Sequence, residues 1–175
     1  MDALAQNLTG VIVEMALKMG LSRAPLSLNY PCASLARMLG VPARPQAVKA
    51  ALDAFFAART SLFGAVQVEA HEDGFCLTIP AEGVARVVSQ APAAAFLRDL
   101  IHTAQLPGAT AEDLLAAFRR HSSHVHVEPV DNDEFDWLVY FEDGVPDDFR
   151  YCIDTHDGFA SYHRFSKEDY EAFGF

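Results

Sequence analysis

The hydrophobic period of this chain changes once, near residue 121, and that change limits what the chain can fold into. Up to His121 the apolar residues recur mostly at spacings of three and four, as in helices buried along one face. Beyond it they alternate, as in strands half-buried in a sheet. VHVEPV, EFDWLVYFE, FRYCIDTH and FASYHRF read as four strands. Turns are expected at Asp131-Asn132-Asp133, in EDGVPDD and at Asp157-Gly158. The last is a two-residue hairpin signal, because both central positions of that turn favour φ > 0. Sequential hairpins give an antiparallel meander. Phe135, Trp137, Val139 and Phe141 alternate with Asp136, Leu138, Tyr140 and Glu142. That pattern predicts one apolar face under helices and one acidic face open to water. Ser166 with Asp169 caps a short final helix in SKEDYEAF.

The upstream part reads as helices with two short strands. Leu4, Leu8, Val11, Ile12, Met15 and Met19 form the stripe of a helix over 3–20, stopped by Gly20. LSLNY (26–30) is a short strand, and Pro31 fits the first turn of a helix burying Leu35, Met38 and Leu39. Pro45 opens a third helix with Val48, Leu52, Phe55 and Phe56 inward. VQVEA (66–70) and FCLTI (75–79) flank His71-Glu72-Asp73-Gly74 as a hairpin. Helices follow over 82–90 and 93–104, and Thr110 with Asp113 forms a capping box ahead of one running to about His121.

The expected fold class is therefore α+β. A winged-helix-like helical part with a β-hairpin occupies 1–90. Two helices, an acidic four-stranded antiparallel meander and a short helix occupy 91–175, joined to the first part in one compact unit. Helix, strand, helix, helix, hairpin is the order of a winged helix-turn-helix, with the third helix as groove reader and the hairpin as wing. Fold alone does not confer that role. Arg23, Arg37, Arg44, Lys49 and Arg59 stand against Asp53 over 22–60, a basic balance that suits phosphates. Yet the third helix would expose mainly Gln46, Lys49, Ala50, Asp53 and Ala57, a poor set for base edges, and the wing carries Glu72 and Asp73.

Charge is unevenly spread along the chain. Residues 1–120 carry ten Lys/Arg and ten Asp/Glu, whereas residues 121–175 carry three and fourteen, so the formal net charge of −11 sits in the last third. Such a surface keeps a protein soluble; it also attracts basic partners and repels nucleic acid. Three cysteines lie far apart without a C-x-x-C pair, which argues for reduced thiols rather than a disulfide framework or structural zinc. With no apolar stretch of 18 residues and no basic-then-apolar start, a cytoplasmic location without membrane contact is expected.

Two constellations invite chemistry. His124, His126 and Glu128 point to one face of a strand, and H-x-H-x-E suits zinc, iron or manganese if further ligands such as Asp154, His156 or His163 arrive from elsewhere. The plainer account is a half-exposed strand, with His121 explained by the dipole at a helix end. Across the Asp157-Gly158 turn, Cys152 should oppose His163, and Asp154 should oppose Ser161. A thiolate beside an imidazolium is an activated nucleophile, but acidic surroundings raise a thiol pKa, and a small apolar filler explains Cys152 as well. No Gly-rich phosphate loop, nucleophile elbow or H-E-x-x-H occurs, and no cofactor is expected.

LNYPCASLARML, EFDWLVYFEDG and YHRFSKEDYEAFGF, with its E-D-Y-x-x-F-G-F ending, together resemble a family of bacterial proteins known as a domain of unknown function. The resemblance spans most of the chain, implies a cytoplasmic bacterial protein and brings no catalytic residues with it.

The favoured expectation is a non-enzymatic module that recognises an unidentified, basic protein partner through Asp131, Asp133, Glu134, Asp136, Glu142, Asp143, Asp147 and Asp148, with Trp137, Tyr140, Tyr151 and Tyr162 as aromatic anchors. The alternative is a winged-helix DNA-binding regulator using Arg37, Arg44, Lys49 and Arg59. A metal-dependent enzyme built on the histidines is the third.

Overall fold

The computed structural model describes residues 3–20, 24–130, 134–156 and 158–173. The chain divides into two compact units, Met1–Ala91 and Pro92–Phe175, each with its own antiparallel sheet. The α+β class follows from that architecture.

The first unit runs α1 (Ala3–Met19), β1 (Leu26–Pro31), α2 (Cys32–Leu39), α3 (Pro45–Ala57), α4 (Thr60–Phe63), β2 (Gln67–His71), β3 (Gly74–Ile79) and α5 (Ala81–Gln90). Its three strands lie in the order β1-β3-β2. The third helix buries Val48, Leu52, Phe55 and Phe56 as its spacing predicts, and Phe55, Phe56 and Phe63 pack as a ring cluster. The first helix turns differently from expectation. Leu4, Leu8, Ile12 and Ala16 form the buried line, with Ala5 and Val13 beside it, while Met19 is exposed. That line faces the neighbouring helices α2 and α5. In α2 the buried residues are Leu35 and Ala36 rather than Met38 and Leu39, which are half-buried, and Pro31 ends β1 instead of opening the helix. The short helix α4 lacks a period long enough to read. Gly74 pairs with Pro31 across the sheet at a place where a Cβ would lie 2.1 Å from the Tyr30 carbonyl oxygen.

The second unit runs α6 (Ala94–Ala104), α7 (Ala111–His121), β4 (Val125–Pro129), β5 (Trp137–Phe141), β6 (Arg150–His156), β7 (Phe159–Phe165) and α8 (Lys167–Phe173). The four strands form a meander in sequence order. Thr110 and Asp113 make the reciprocal capping box ahead of α7, and the Asp169 N–H donates to the Ser166 hydroxyl at the start of α8. His156 pairs with Phe159, as a two-residue turn requires, and Gly158 has φ +81°. The expected turn at Asp131-Asn132-Asp133 and Asp157 itself lie outside the described residues.

Both faces of this sheet are used. On one, Phe96 of α6 and Phe118 of α7 pack edge-on or tilted against Phe141 and Tyr151, with Val139 and Ile153 fully buried. On the other, Leu138, Cys152 and Phe135 form a second apolar cluster that Val130, Tyr140, Phe165 and Tyr170 of α8 cover. The expectation of one wholly wet face is thus corrected. Phe135 also leaves the side predicted for it. Asp136 donates its N–H to the Ile153 carbonyl while its own carbonyl accepts from Val130. One residue therefore bonds to both neighbouring strands, the backbone twists there, and strict alternation stops before Phe135.

Candidate functional site

The charge asymmetry follows the division into units. Residues 1–91 carry seven Lys/Arg and seven Asp/Glu, and residues 92–175 carry six and seventeen. Much of the excess lies on β4 and in the connections on either side of β5, where Glu128, Glu134, Asp136, Glu142, Asp143 and Asp148 are exposed.

The centre of this surface is built by strand register. His126 of β4 pairs with Tyr140 of β5, and their rings stack at 4.6 Å. The Arg150 guanidinium of β6 lies 3.8 Å over the same tyrosine ring, and Arg150 pairs with Phe165 of β7. A row of flat groups thus crosses all four strands. A guanidinium over an aromatic face gains from the ring quadrupole while keeping its charge. Two carboxylates flank the histidine: Nε2 of His126 is 3.2 Å from Glu128 and Nδ1 is 3.8 Å from Glu142. His124 lies 3.3 Å from Asp143. The Val145 N–H, with His124, holds the Asp143 carboxyl below the usual carboxylate range. Burial raises the Tyr170 phenol above its ordinary value, helped by the nearby Cys152 and Glu128. Neither Arg150 nor Tyr170 was marked by the sequence reasoning. Their signal was faint: an arginine and a tyrosine that register and packing bring onto the acidic face.

The predicted residues fare differently. Glu134, Asp136, Glu142, Asp143 and Asp148 are on the surface, whereas Asp131 and Asp133 lie outside the described residues. Asp147 is a correction. Its side chain is 7% exposed and takes two hydrogen bonds from Arg164, at 2.9 and 3.0 Å, and one from the Tyr151 hydroxyl, so its charge is consumed inside the unit. Tyr151 is fully buried and cannot be a surface anchor; Trp137, Tyr140 and Tyr162 are half-buried.

Cys152 does oppose His163, and Asp154 opposes Ser161, whose hydroxyl donates to it. The register is as expected, and the surroundings of the thiol suit the filler account of Cys152 rather than the nucleophile one. Cys152 is fully buried, and burial pushes its thiol up to about 11, so little thiolate exists at neutral pH. His163 is exposed and packs between Phe135 and Phe165. Burial of Cys152 and the ring contacts of His163 weigh against the nucleophile candidate and for the packing account. His124, His126 and Glu128 share a face, yet among the described residues no three His, Cys, Asp or Glu side chains converge to hold a metal ion.

In the first unit, Arg37 and Arg44 are exposed. Lys49 reaches both oxygens of Asp53 at 2.7 Å, and Arg59 lies 4.2 Å over the Phe55 ring. Two of the four cations proposed for nucleic acid are thereby engaged by the helix that would present them. No helix among the described residues is long and apolar enough to cross a membrane.

The two sheets, the covered meander and its carboxylate-ringed row define an α+β protein whose most distinctive surface is acidic and aromatic. The chain belongs to the family described as "Domain of unknown function, E. rectale Gene description (DUF3877)", whose model matches residues 1–174, in keeping with the resemblance read from the three sequence stretches. Neither a curated protein nor a solved structure matches the chain.

Proposed function

We propose that the protein is a non-enzymatic recognition module of the cytoplasm whose acidic sheet surface binds a basic protein partner. One observation carries the reading. The exposed carboxylates Glu128, Glu142 and Asp143 meet histidines, while Arg119, Arg120 and Arg164 of the same unit are taken up by Glu112, Asp99 and Asp147. Glu128, Glu134, Asp136, Glu142, Asp143 and Asp148 are exposed and outnumber the two imidazoles and Arg150, so the surface keeps a negative field. The His126–Tyr140–Arg150 row gives such a partner a flat aromatic centre within a charged rim. Charge of this kind acts mainly on association rate and choice of partner.

The test is to reverse Glu134, Asp136, Glu142 and Asp148 to lysine, sparing Asp143, which the Val145 N–H needs. Partners captured from a bacterial lysate by the native protein should be lost by the reversed one, and their capture should weaken between roughly 50 and 300 mM salt. Recovery of the same partners by both proteins removes the acidic-face reading.

A second reading, a winged-helix DNA-binding regulator, draws on the first unit. Its order of helix, strand, two main helices and hairpin, with the sheet in the order β1-β3-β2, supports it. The Lys49–Asp53 pair and the acidic Glu72-Asp73 tip weigh against it. Titration of labelled duplex DNA at roughly 50 mM salt decides: micromolar protein without binding removes this reading, because nonspecific affinity should appear there.

A further inference from the structure

We infer that the basic partner docks as an added β-strand along the outer edge of β4, and that its sequence alternates apolar and basic residues. The inference rests on the acidic-face reading and adds the mode of contact and the pattern of the ligand.

Backbone parity identifies the free edge of the sheet. The Glu142 N–H donates to the His124 carbonyl, and the Val130 N–H donates to the Asp136 carbonyl. Both belong to the register that pairs His126 with Tyr140 and Glu128 with Leu138. Even-numbered residues of β4 therefore turn their N–H and C=O groups toward β5. In an antiparallel pair the intervening residues turn theirs the other way. Val125 and Val127 consequently present N–H and C=O groups along the outer edge of the sheet, where β4 is the terminal strand. Among the described residues these groups meet no hydrogen-bond partner. Such an edge is a template for another strand.

The same parity sorts the side chains. Val125 and Val127 lie half-buried on one face. On the other lie His126 and Glu128, with Glu142 and Asp143 beside them. A strand added to β4 would place every second side chain against the two valines and the others beside His126 and Glu128, with Glu142 one strand further in. Apolar residues fit the first set and lysine or arginine the second. Pro129 lacks an N–H and limits the docking segment to the length of β4.

The experiment uses the full chain and a seven-residue fluorescent peptide alternating valine and lysine, read by anisotropy. The central variant is Val127→Pro. It deletes one outward N–H, obstructs strand addition and leaves every charge in place, and proline is tolerated at this kind of edge position. Thermal unfolding checks that the variant folds. The expected result is binding to the native protein that weakens roughly tenfold or more in Val127→Pro, as the loss of one intermolecular hydrogen bond together with the obstruction by the proline ring implies. Equal binding by both proteins, abolished by the fourfold charge reversal, overturns strand addition and leaves the acidic face intact as a recognition surface. No binding of the alternating peptide, with binding of an unstructured glycine–lysine peptide of equal charge, has the same consequence. Failure of both peptides overturns the inference together with the reading beneath it. Should an unfolding shift make Val127→Pro uninterpretable, a probe peptide N-methylated at alternate residues replaces it: undiminished binding of that peptide overturns the inference.

Discussion

Asp147 and Arg164 meet as a two-pronged ion pair in the interior of the second unit, with the guanidinium 3.5 Å over the Phe149 ring and the Tyr151 hydroxyl on the same carboxylate. The side chains are 7% and 1% exposed, so each charge depends on the other for what water would have given it. Removing one partner strands the other. Arg164→Met should cost about 3–5 kcal/mol, measured by urea unfolding, whereas Arg164→Met combined with Asp147→Leu should cost clearly less. A double variant as unstable as the single one would mean that the packing of the stem, and not the pairing of charge, holds this site.

Asp99 offers a test in pH. The Arg120 guanidinium, bonded to both its oxygens at 3.0 Å, holds its carboxyl below the ordinary 3.8, with His121 assisting. A group whose folded pKa is depressed contributes stability that is full above the unfolded pKa and fades as pH falls through the folded one. Asp99→Asn should therefore lower stability at pH 7 and flatten its dependence on pH below about 4. Parallel acid-unfolding curves for the two proteins would contradict this.

The thiols should separate cleanly. Cys32 and Cys76 are partly exposed, while Cys152 is buried with its thiol raised to about 11. At pH 8 a thiol with that pKa is about one part in a thousand thiolate. Ellman's reagent should report two readily reacting thiols in the native protein and all three after denaturation. A fast third thiol in the native state would reopen the case for Cys152 as a nucleophile.

Gly83 gives a prediction for the first unit. A Cβ there would lie 1.9 Å from the Phe63 carbonyl oxygen, between α4 and α5. Gly83→Ala, which elsewhere in a helix would add stability, should here cost a few kcal/mol in thermal or urea unfolding. A neutral result would show that the two helices can part without loss.

How far the sequence carried these conclusions depended on whether a residue's fate was decided locally. Pro45, Thr110 with Asp113, and Ser166 with Asp169 act within a few residues, and the elements they start were read correctly. The opposition of Cys152 and His163 followed from one turn. What escaped was decided at a distance. Only the approach of Arg164 from β7 reveals that Asp147 is interior, and only Tyr170 of α8, closing over Leu138 and Cys152, reveals that the second face is partly dry. Phe135 was misplaced because the twist at Asp136 depends on bonds to two other strands.

The runs Trp137–Phe141 and Tyr151–Ile153 are apolar at nearly every position, with side chains buried on both faces of the sheet. In a sheet dry on one side only, sliding a strand by one residue throws its oily side chains into water, and that penalty fixes the alignment. Here a slip of β5 or β6 would exchange one oily residue for another, so hydrophobicity is nearly blind to the error. The alignment is marked instead by sparse polar contacts: Ser161 against Asp154 and Arg164 against Asp147 for β6, and His126 and Arg150 on the Tyr140 ring for β5. Erasing them should yield a protein that still collapses but pairs its strands in more than one frame.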